Sequence, residues 1–121
     1  MDTRPRILIA DDHPGMLEWL TTTVQEEFEI VDTVRNGADA LDAVQLHKPD
    51  VLVLDVAMSP MNGFEVMRLL QRMDAKTAVV LITTYTNPEL EQAALSAGAR
   101  AYIEKCRLAD DLIPAIHRAA S

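Results

Sequence analysis

The sequence has one cysteine, few cationic residues and no long apolar run, and each shortage excludes a class of protein. Cys106 has no partner for an internal disulfide and no CxxC or histidine-spaced zinc pattern, which favours a reducing cytoplasm. The formal net charge of −8 opposes non-specific binding to nucleic acid. Apolar stretches such as residues 78–82 are too short to span a bilayer, and residues 1–6 are polar with no secretory apolar region behind them. We therefore expect a cytoplasmic protein with no membrane segment and no direct contact with nucleic acid.

The composition that remains is typical of one globular domain. The chain has 121 residues, of which 49% are hydrophobic and 25% are charged, so there is enough apolar material for a core. This length is too short for two ordinary domains. We predict a single domain over residues 1–121, either free-standing or the N-terminal part of a longer protein.

Short aliphatic runs alternate with amphipathic segments along the chain. Runs rich in β-branched and aliphatic residues predict strands, and apolar residues spaced three and four apart predict helices. The predicted strands are Arg6–Ala10, Glu29–Val34, Val51–Asp55, Ala78–Thr83 and Ala101–Glu104. After a first helix that begins near Pro14, the predicted helices cover residues 38–47, 64–73, 88–97 and 108–120.

Strict alternation of strand and helix predicts an α/β fold with a parallel sheet and right-handed crossovers. Five strands favour a doubly wound sheet in the flavodoxin-like order 2-1-3-4-5, with helices on both faces in a three-layer α/β/α arrangement. In that order the chain reverses direction between the first and third strands, and ligands bind at the carboxyl ends of the strands beside this switch point.

The first predicted helix has two sets of residues at helical spacing. One set keeps the i, i+3, i+4, i+7, i+8 spacing of a buried stripe and consists of Met16, Trp19, Leu20, Thr23 and Val24. The other set follows i, i+4, i+8 and consists of His13, Leu17 and Thr21. We interpret the second set as an exposed strip that faces a partner protein.

Five polar residues stand at or just after the ends of the predicted strands. They are Asp11 and Asp12 after the first strand, Asp55 at the end of the third, Thr83 at the end of the fourth and Lys105 after the fifth. Because parallel strands end along one edge, all five should meet at the switch point. Each residue alone has an ordinary explanation, such as a helix cap or a charged strand end. Together, in this order, they indicate one site.

Three neighbouring carboxylates repel one another unless protons or a cation relieve the charge. Mg2+, for which Mn2+ can substitute, prefers such oxygen ligands and leaves room for phosphate oxygens. Aspartate can form a covalent acyl phosphate, and Asp55 on the middle strand is the predicted acceptor. Lys105 would pair with one phosphoryl oxygen and Thr83 would donate a hydrogen bond to another.

This set of residues resembles the receiver domain of response regulators in two-component systems. The resemblance is carried by Asp11-Asp12, Asp55, Thr83 and Lys105, with DVAMSPMNG over residues 55–63, and it covers essentially the whole chain. The run DDHP over residues 11–14 resembles receivers joined to LuxR-type helix-turn-helix output domains.

The resemblance implies roles for individual residues. Asp12 and Asp55 would ligate Mg2+ directly together with the backbone carbonyl of Ala57, and Asp11 would act through water. Tyr102 would be the aromatic side chain that turns inward on activation, so Thr83 and Tyr102 would form the switch.

The resemblance also implies a function. Asp55 would accept a phosphoryl group from a sensor histidine kinase or a phosphotransfer protein, and the new charge would change a partner-binding surface. The expected output is control of transcription through a domain beyond Ser121, with homodimerisation on phosphorylation. Such a phosphoprotein assists its own phosphorylation and is not a multiple-turnover enzyme.

Two alternatives stay open at the level of the sequence. Pro60 is displaced by Ser59 from the usual position in the family, and Thr84 and Cys106 also depart from the pattern. These departures are compatible with an interaction module that no longer takes phosphate. The second alternative is a Mg-dependent phosphohydrolase with Asp55 as nucleophile, against which Ala57 stands where a general acid would be needed.

Overall fold

Five parallel strands form one sheet with helices on both faces. The structure is a computed structural model, and it describes residues 3–85 and 87–121. The strands are β1 (Arg6–Ala10), β2 (Glu29–Val34), β3 (Val51–Asp55), β4 (Ala78–Thr83) and β5 (Ala101–Glu104). Their order in the sheet is β2-β1-β3-β4-β5, and every pairing is parallel. The predicted fold class, strand order and strand bounds are confirmed.

Five helices connect and follow the strands. They are α1 (Pro14–Val24), α2 (Gly37–His47), α3 (Gly63–Arg72), α4 (Pro88–Ser96) and α5 (Leu108–Ala120), with a short 3-10 turn at Lys105–Arg107. Both α2 and α3 begin one residue before the predicted start. The side chains of Asn36 and Asn62 cap these helices by accepting hydrogen bonds from the amides of Asp39 and Glu65.

The sheet divides the core into two hydrophobic clusters. β3 and β4 are buried along their whole length, as expected for central strands covered on both faces. On one face, alternate residues of the strands pack against α1 and α5; on the other face, the intervening residues pack against α2, α3 and α4. Within the described residues, no helix combines the length and apolar character needed to cross a membrane.

The buried stripe of α1 differs from the predicted one. Leu17, Leu20 and Val24 face the core, whereas Trp19 is 39% exposed. The predicted face and the buried face of α1 are offset by about one residue. The buried face carries branched aliphatic side chains, and the larger indole lies outside it. The predicted stripe is therefore wrong at Trp19.

The proposed partner-facing strip of α1 is also corrected. Leu17 is only 9% exposed and belongs to the hydrophobic cluster of α1 and α5, so it is unavailable to a partner. His13 is exposed and Thr21 is half-buried. The two residues are separated on the helix by a core position, and the three do not form a continuous exposed strip.

Candidate functional site

The predicted site residues lie where four neighbouring strands end. Asp11 directly follows β1, Asp55 is the last residue of β3, and Thr83 is the last residue of β4. Lys105 directly follows β5. The register pairs Ala10 with Leu54 and Asp55 with Ile82, so these ends lie along one edge of the sheet.

Three carboxylates form the centre of the site. Asp11, Asp12 and Asp55 each offer an oxygen, and these oxygens all lie within 4.8 Å of one another. Asp11 and Asp55 are 0% and 2% exposed, whereas Asp12 is exposed. The cluster therefore has a buried part, which is held by the protein, and an outer part that faces solvent.

The protein already occupies several carboxylate oxygens. Asp11 accepts the amide of His13 at 2.9 Å on Oδ1 and the ammonium of Lys105 at 3.1 Å on Oδ2. Oδ1 of Asp55 accepts the amide of Ala57 at 3.2 Å and lies 3.5 Å from Nζ of Lys105. Both oxygens of Asp11 thus have partners, and one oxygen of Asp55 does.

Two acceptors remain available. Among the described residues, no donor reaches Oδ2 of Asp55 or the carboxylate of Asp12. No fully buried side-chain oxygen or nitrogen of the described residues lacks a partner, so Oδ2 of Asp55 must reach solvent although the residue as a whole is buried. Asp55 therefore combines a fixed oxygen with a free one.

The electrostatic environment disfavours a negative charge on Asp55. Burial raises the pKa of this carboxyl above its usual value, the charge of Asp11 raises it further, and Asp12 adds a smaller contribution. Lys105 and the amide of Ala57 act in the opposite direction but do not cancel the rise in the pKa. The site thus holds more negative charge than the protein itself compensates.

A divalent cation fits this arrangement. The donors are hard carboxylate oxygens, which suit Mg2+ and similar ions, and the described cluster contains no cysteine or histidine ligand. A bound cation would also offset the repulsion that raises the pKa of Asp55. The residues present are therefore those of a candidate metal centre.

Thr83 and Tyr102 are connected through the loop after β4. Thr83 is 4% exposed, and its hydroxyl oxygen accepts the amide of Tyr85 at 3.1 Å. The hydroxyl of Tyr102 donates to the carbonyl of Tyr85 at 3.2 Å. Tyr102 is half-buried against the cluster of α2, α3 and α4. The two predicted switch residues thus contact the same loop residue.

The acidic cluster and its contacts with Lys105 are present despite the departures from the family pattern at Ser59, Thr84 and Cys106. The only cis peptide bond in the described chain is Ser59-Pro60, so the bond from Lys105 to Cys106 is trans. Lys105 nevertheless contacts both buried carboxylates, and Thr84 is exposed. His13, next to the acidic pair, caps α1 by accepting the amide of Met16 on Nδ1 at 3.1 Å.

Two residues at the site were missed by the sequence reasoning. A Cβ atom at Gly63 would lie 2.9 Å from the carbonyl oxygen of Asp55 and 3.0 Å from Cα of Val56, so only glycine lets α3 begin against this loop. Arg35 follows β2, and its Nη2 lies 3.5 Å from the carbonyl oxygen of Asp12. The strand order alone places the end of β2 at this edge and could have drawn attention to Arg35.

Comparison with known proteins identifies the family. The family model described as "Response regulator receiver domain" matches residues 7–117. The chain belongs to this family. The receiver domain is a signalling module of two-component systems, and receiver domains bind Mg2+ at an acidic site of the kind found here and interact with histidine kinases and phosphotransfer proteins.

Curated relatives include proteins of two lengths. The transcriptional regulatory protein PdtaR of Mycobacterium tuberculosis is 36% identical over 117 residues, which are 96% of this chain and 57% of PdtaR. The chemotaxis protein CheY of Bacillus subtilis is 30% identical over 114 residues, 93% of this receiver and 95% of CheY. This receiver thus spans little more than half of one relative and nearly all of the other.

Among solved structures, the receiver domain of the response regulator NarL from Mycobacterium tuberculosis superposes with a TM-score of 0.92 at 27% identity, covering 98% of both chains. A LuxR-family DNA-binding response regulator from Staphylococcus aureus gives 0.89 at 25% identity, covering 97% of this receiver and 99% of that chain. These comparisons confirm the resemblance to receivers of the LuxR and NarL type.

Proposed function

We propose that this receiver accepts a phosphoryl group on Asp55 from the phosphohistidine of a sensor kinase or phosphotransfer protein. The observation that carries the proposal is the state of the Asp55 carboxylate. One oxygen is held by Ala57 and Lys105, and the other reaches solvent beside an exposed carboxylate and a buried one. An acceptor of phosphate needs this combination of fixed orientation and free access.

In the transfer, Oδ2 of Asp55 forms the new O–P bond while the P–N bond to the donor imidazole breaks. The imidazole leaves with the bonding electron pair and takes up a proton from water. A bound Mg2+, or Mn2+ in its place, would neutralise charge on the phosphoryl oxygens. Asp12, Asp55 and the Ala57 carbonyl would hold this ion, and Asp11 would act through water. The raised pKa of Asp55 supports a cation there, because the carboxylate must be ionised to attack.

Lys105 and Thr83 are the residues proposed to bind the transferred group. Lys105 lies within 3.5 Å of Asp55 and can follow the new negative charge with little movement. The hydroxyl of Thr83 accepts from Tyr85, which leaves its own proton free to donate to a phosphoryl oxygen. Both residues therefore have an available donor at the correct strand ends.

The proposed output is a changed surface on the side of α4 and β5. Movement of Thr83 would displace Tyr85, whose carbonyl accepts the hydroxyl of Tyr102, and would thereby alter the position of Tyr102. The loop would then have two conformations that bind a partner with different affinities. We propose transcription as the regulated process, since relatives such as PdtaR are named transcriptional regulatory proteins. We expect the changed surface to bind a second copy of this receiver, so that the protein forms a homodimer on phosphorylation.

The two alternatives gain no support from the geometry. A module that takes no phosphate has no reason to retain a buried carboxylate whose ionisation is disfavoured by burial and by Asp11. A phosphohydrolase would need a general acid near Asp55, and the side chain at position 57 is a methyl group. Binding of Mg2+, measured by calorimetry, tests the first alternative, and turnover of a phosphate ester tests the second.

The direct experiment is mass spectrometry of the protein after incubation with Mg2+ and acetyl phosphate. The wild type should gain the mass of one phosphoryl group, and Asp55→Asn should gain none. Asp74→Asn is the matched control, because the carboxylate of Asp74 is exposed. The backbone of Asp74 has a left-handed conformation, which asparagine also tolerates. Absence of a mass gain in the wild type, or an equal gain in Asp55→Asn, would refute the proposal.

A further inference from the structure

We propose that Arg35 is a positioning residue that attracts the anionic phosphoryl donor to Asp55, an inference that rests on the proposed function above. Arg35 belongs to neither the acidic cluster nor the set of residues that would bind the transferred group. It lies on the rim of the same edge of the sheet. Its charge acts on the donor before the chemical step.

The backbone fixes where Arg35 emerges. The carbonyl of Val34, the last residue of β2, accepts the amide of Asp11 at 3.1 Å, which joins the ends of β1 and β2. Asn36, the next residue, caps α2 through its side chain. Arg35 is therefore held between an inter-strand hydrogen bond and a helix cap, with its guanidinium 3.5 Å from the carbonyl oxygen of Asp12.

No described carboxylate neutralises the charge of Arg35 through an ion pair. The side chain is exposed, and it forms no ion pair with any residue that the structure describes. The other cation of the site, Lys105, already contacts both Asp11 and Asp55. Within residues 3–85 and 87–121, Arg35 is thus a cation at this edge that has no ion pair and can interact with an incoming anion.

An uncompensated cation at this position changes the encounter with a phosphoryl donor. The protein has a formal net charge of −8, and the site itself is acidic, so a negatively charged donor is repelled as it approaches. A guanidinium on the rim reduces this repulsion locally and can pair with phosphoryl oxygens. Because the residue is exposed, its effect should be screened by salt, with a Debye length of about 10 Å at 0.1 M.

A purely structural role for Arg35 makes a different prediction. If the guanidinium only held the loop of Asp12 through its carbonyl, removal of Arg35 would loosen a metal ligand and weaken Mg2+ binding. If Arg35 acts through its charge, removal of a cation close to a cation site would leave Mg2+ affinity unchanged or increase it. The donor-dependent rate then falls while the Mg2+ affinity does not.

The test compares wild type, Arg35→Gln and Arg35→Lys, with Arg68→Gln as the matched control. Arg68 is exposed in α3, on a different element, and also has no ion pair with the described residues, so its removal gives the same net charge without removing the guanidinium near Asp12. The rate of mass gain is measured against acetyl phosphate concentration at saturating Mg2+ in low and high salt. Phosphoramidate, a donor with less negative charge, forms a second arm, and calorimetry gives Mg2+ affinity.

At low salt, Arg35→Gln should need about three to ten times more acetyl phosphate for half-maximal rate, with the maximal rate unchanged. The difference between Arg35→Gln and the wild type should shrink in high salt and with phosphoramidate. Arg35→Lys should behave like the wild type. The Mg2+ affinity of Arg35→Gln should not fall. Equal loss in Arg68→Gln, no loss in Arg35→Gln, or weaker Mg2+ binding would overturn the inference. If the wild type gains mass, any such result refutes the role of Arg35 alone; if it gains none, the proposed function fails as well.

Discussion

The hydroxyl of Tyr102 donates a hydrogen bond to the backbone carbonyl of Tyr85 at 3.2 Å. The amide of the same residue donates to the hydroxyl oxygen of Thr83, so one loop residue connects the end of β4 with the aromatic side chain of β5. A hydroxyl oxygen can accept an amide while it donates its own proton. Thr83 can therefore engage a phosphoryl oxygen without releasing Tyr85, and its displacement would be passed to Tyr102 through the backbone.

Tyr102→Phe should release this anchor and leave the packed ring in place. We expect faster amide hydrogen exchange in the loop between β4 and α4 and a loss of about 0.5–1 kcal/mol in the free energy of unfolding, with an unchanged rate of phosphorylation. Exchange is measured by NMR and stability by urea unfolding. Tyr85→Phe is the control, because the bonds use backbone atoms of Tyr85 and its side chain is 76% exposed. Wild-type exchange in Tyr102→Phe would contradict the anchoring role.

The stability of the metal-free protein should depend on pH through Asp55. Burial and the charge of Asp11 raise the pKa of Asp55 above 3.8, so between 3.8 and the raised pKa the native state binds more protons than the unfolded state. The contribution of this group to stability therefore falls as pH rises through that window. Above it, ionised Asp55 destabilises the fold.

Asp55→Asn should consequently be more stable than the wild type at neutral pH without divalent cations, and the advantage should shrink as pH falls toward 3.8. Urea unfolding over a pH series checks this, with Asp74→Asn as the exposed control. Added Mg2+ should narrow the gap by stabilising the wild type more than the variant. A difference that stays constant with pH would show that the carboxylate of Asp55 is not destabilised in the native state.

The strands could be predicted from the sequence because each is a short run rich in β-branched, aliphatic or aromatic residues that a polar or turn residue ends or follows. The orientation of α1 could not, because its apolar residues fit two neighbouring faces. Packing against the sheet selects Leu17, Leu20 and Val24 and leaves Trp19 largely outside. Helical spacing restricts the choice of buried face, and tertiary contacts decide it.

The candidate site, like the fold, could be predicted only in part from the sequence. The positions of Asp11, Asp55 and Lys105 follow from strand order, because parallel strands place their carboxyl ends together. Which oxygen accepts which donor depends on side-chain rotamers that no pattern encodes. The close approach of Gly63 to the backbone of Asp55 and the reach of Arg35 toward Asp12 are likewise visible only once distances are known.

Lys105→Met should raise the pKa of Asp55 further. The ammonium of Lys105 lies 3.5 Å from Asp55 and is the strongest influence that lowers the pKa of this carboxyl. Its loss also leaves the charge of Asp11 without its cation. The carboxyl carbon of Asp55 can be titrated by NMR without divalent cations, with Lys76→Met as a control at an exposed lysine away from the site. An unchanged titration of Asp55 would mean that Lys105 does not act on this carboxylate.

Gly63→Ala should disturb the site through sterics alone. The added Cβ would lie 2.9 Å from the carbonyl oxygen of Asp55, which is backbone and cannot turn aside, so the loop must move. We expect a loss of about 1–3 kcal/mol in the free energy of unfolding and weaker Mg2+ binding, measured by urea unfolding and calorimetry. Gly15→Ala is the matched control in the first turn of α1, where the nearest atom belongs to the exposed ring of His13 at 3.1 Å, and the change there should stay within about 0.5 kcal/mol. If both variants were equally stable and bound Mg2+ equally well, the contact between α3 and Asp55 would have no role in shaping the acceptor site.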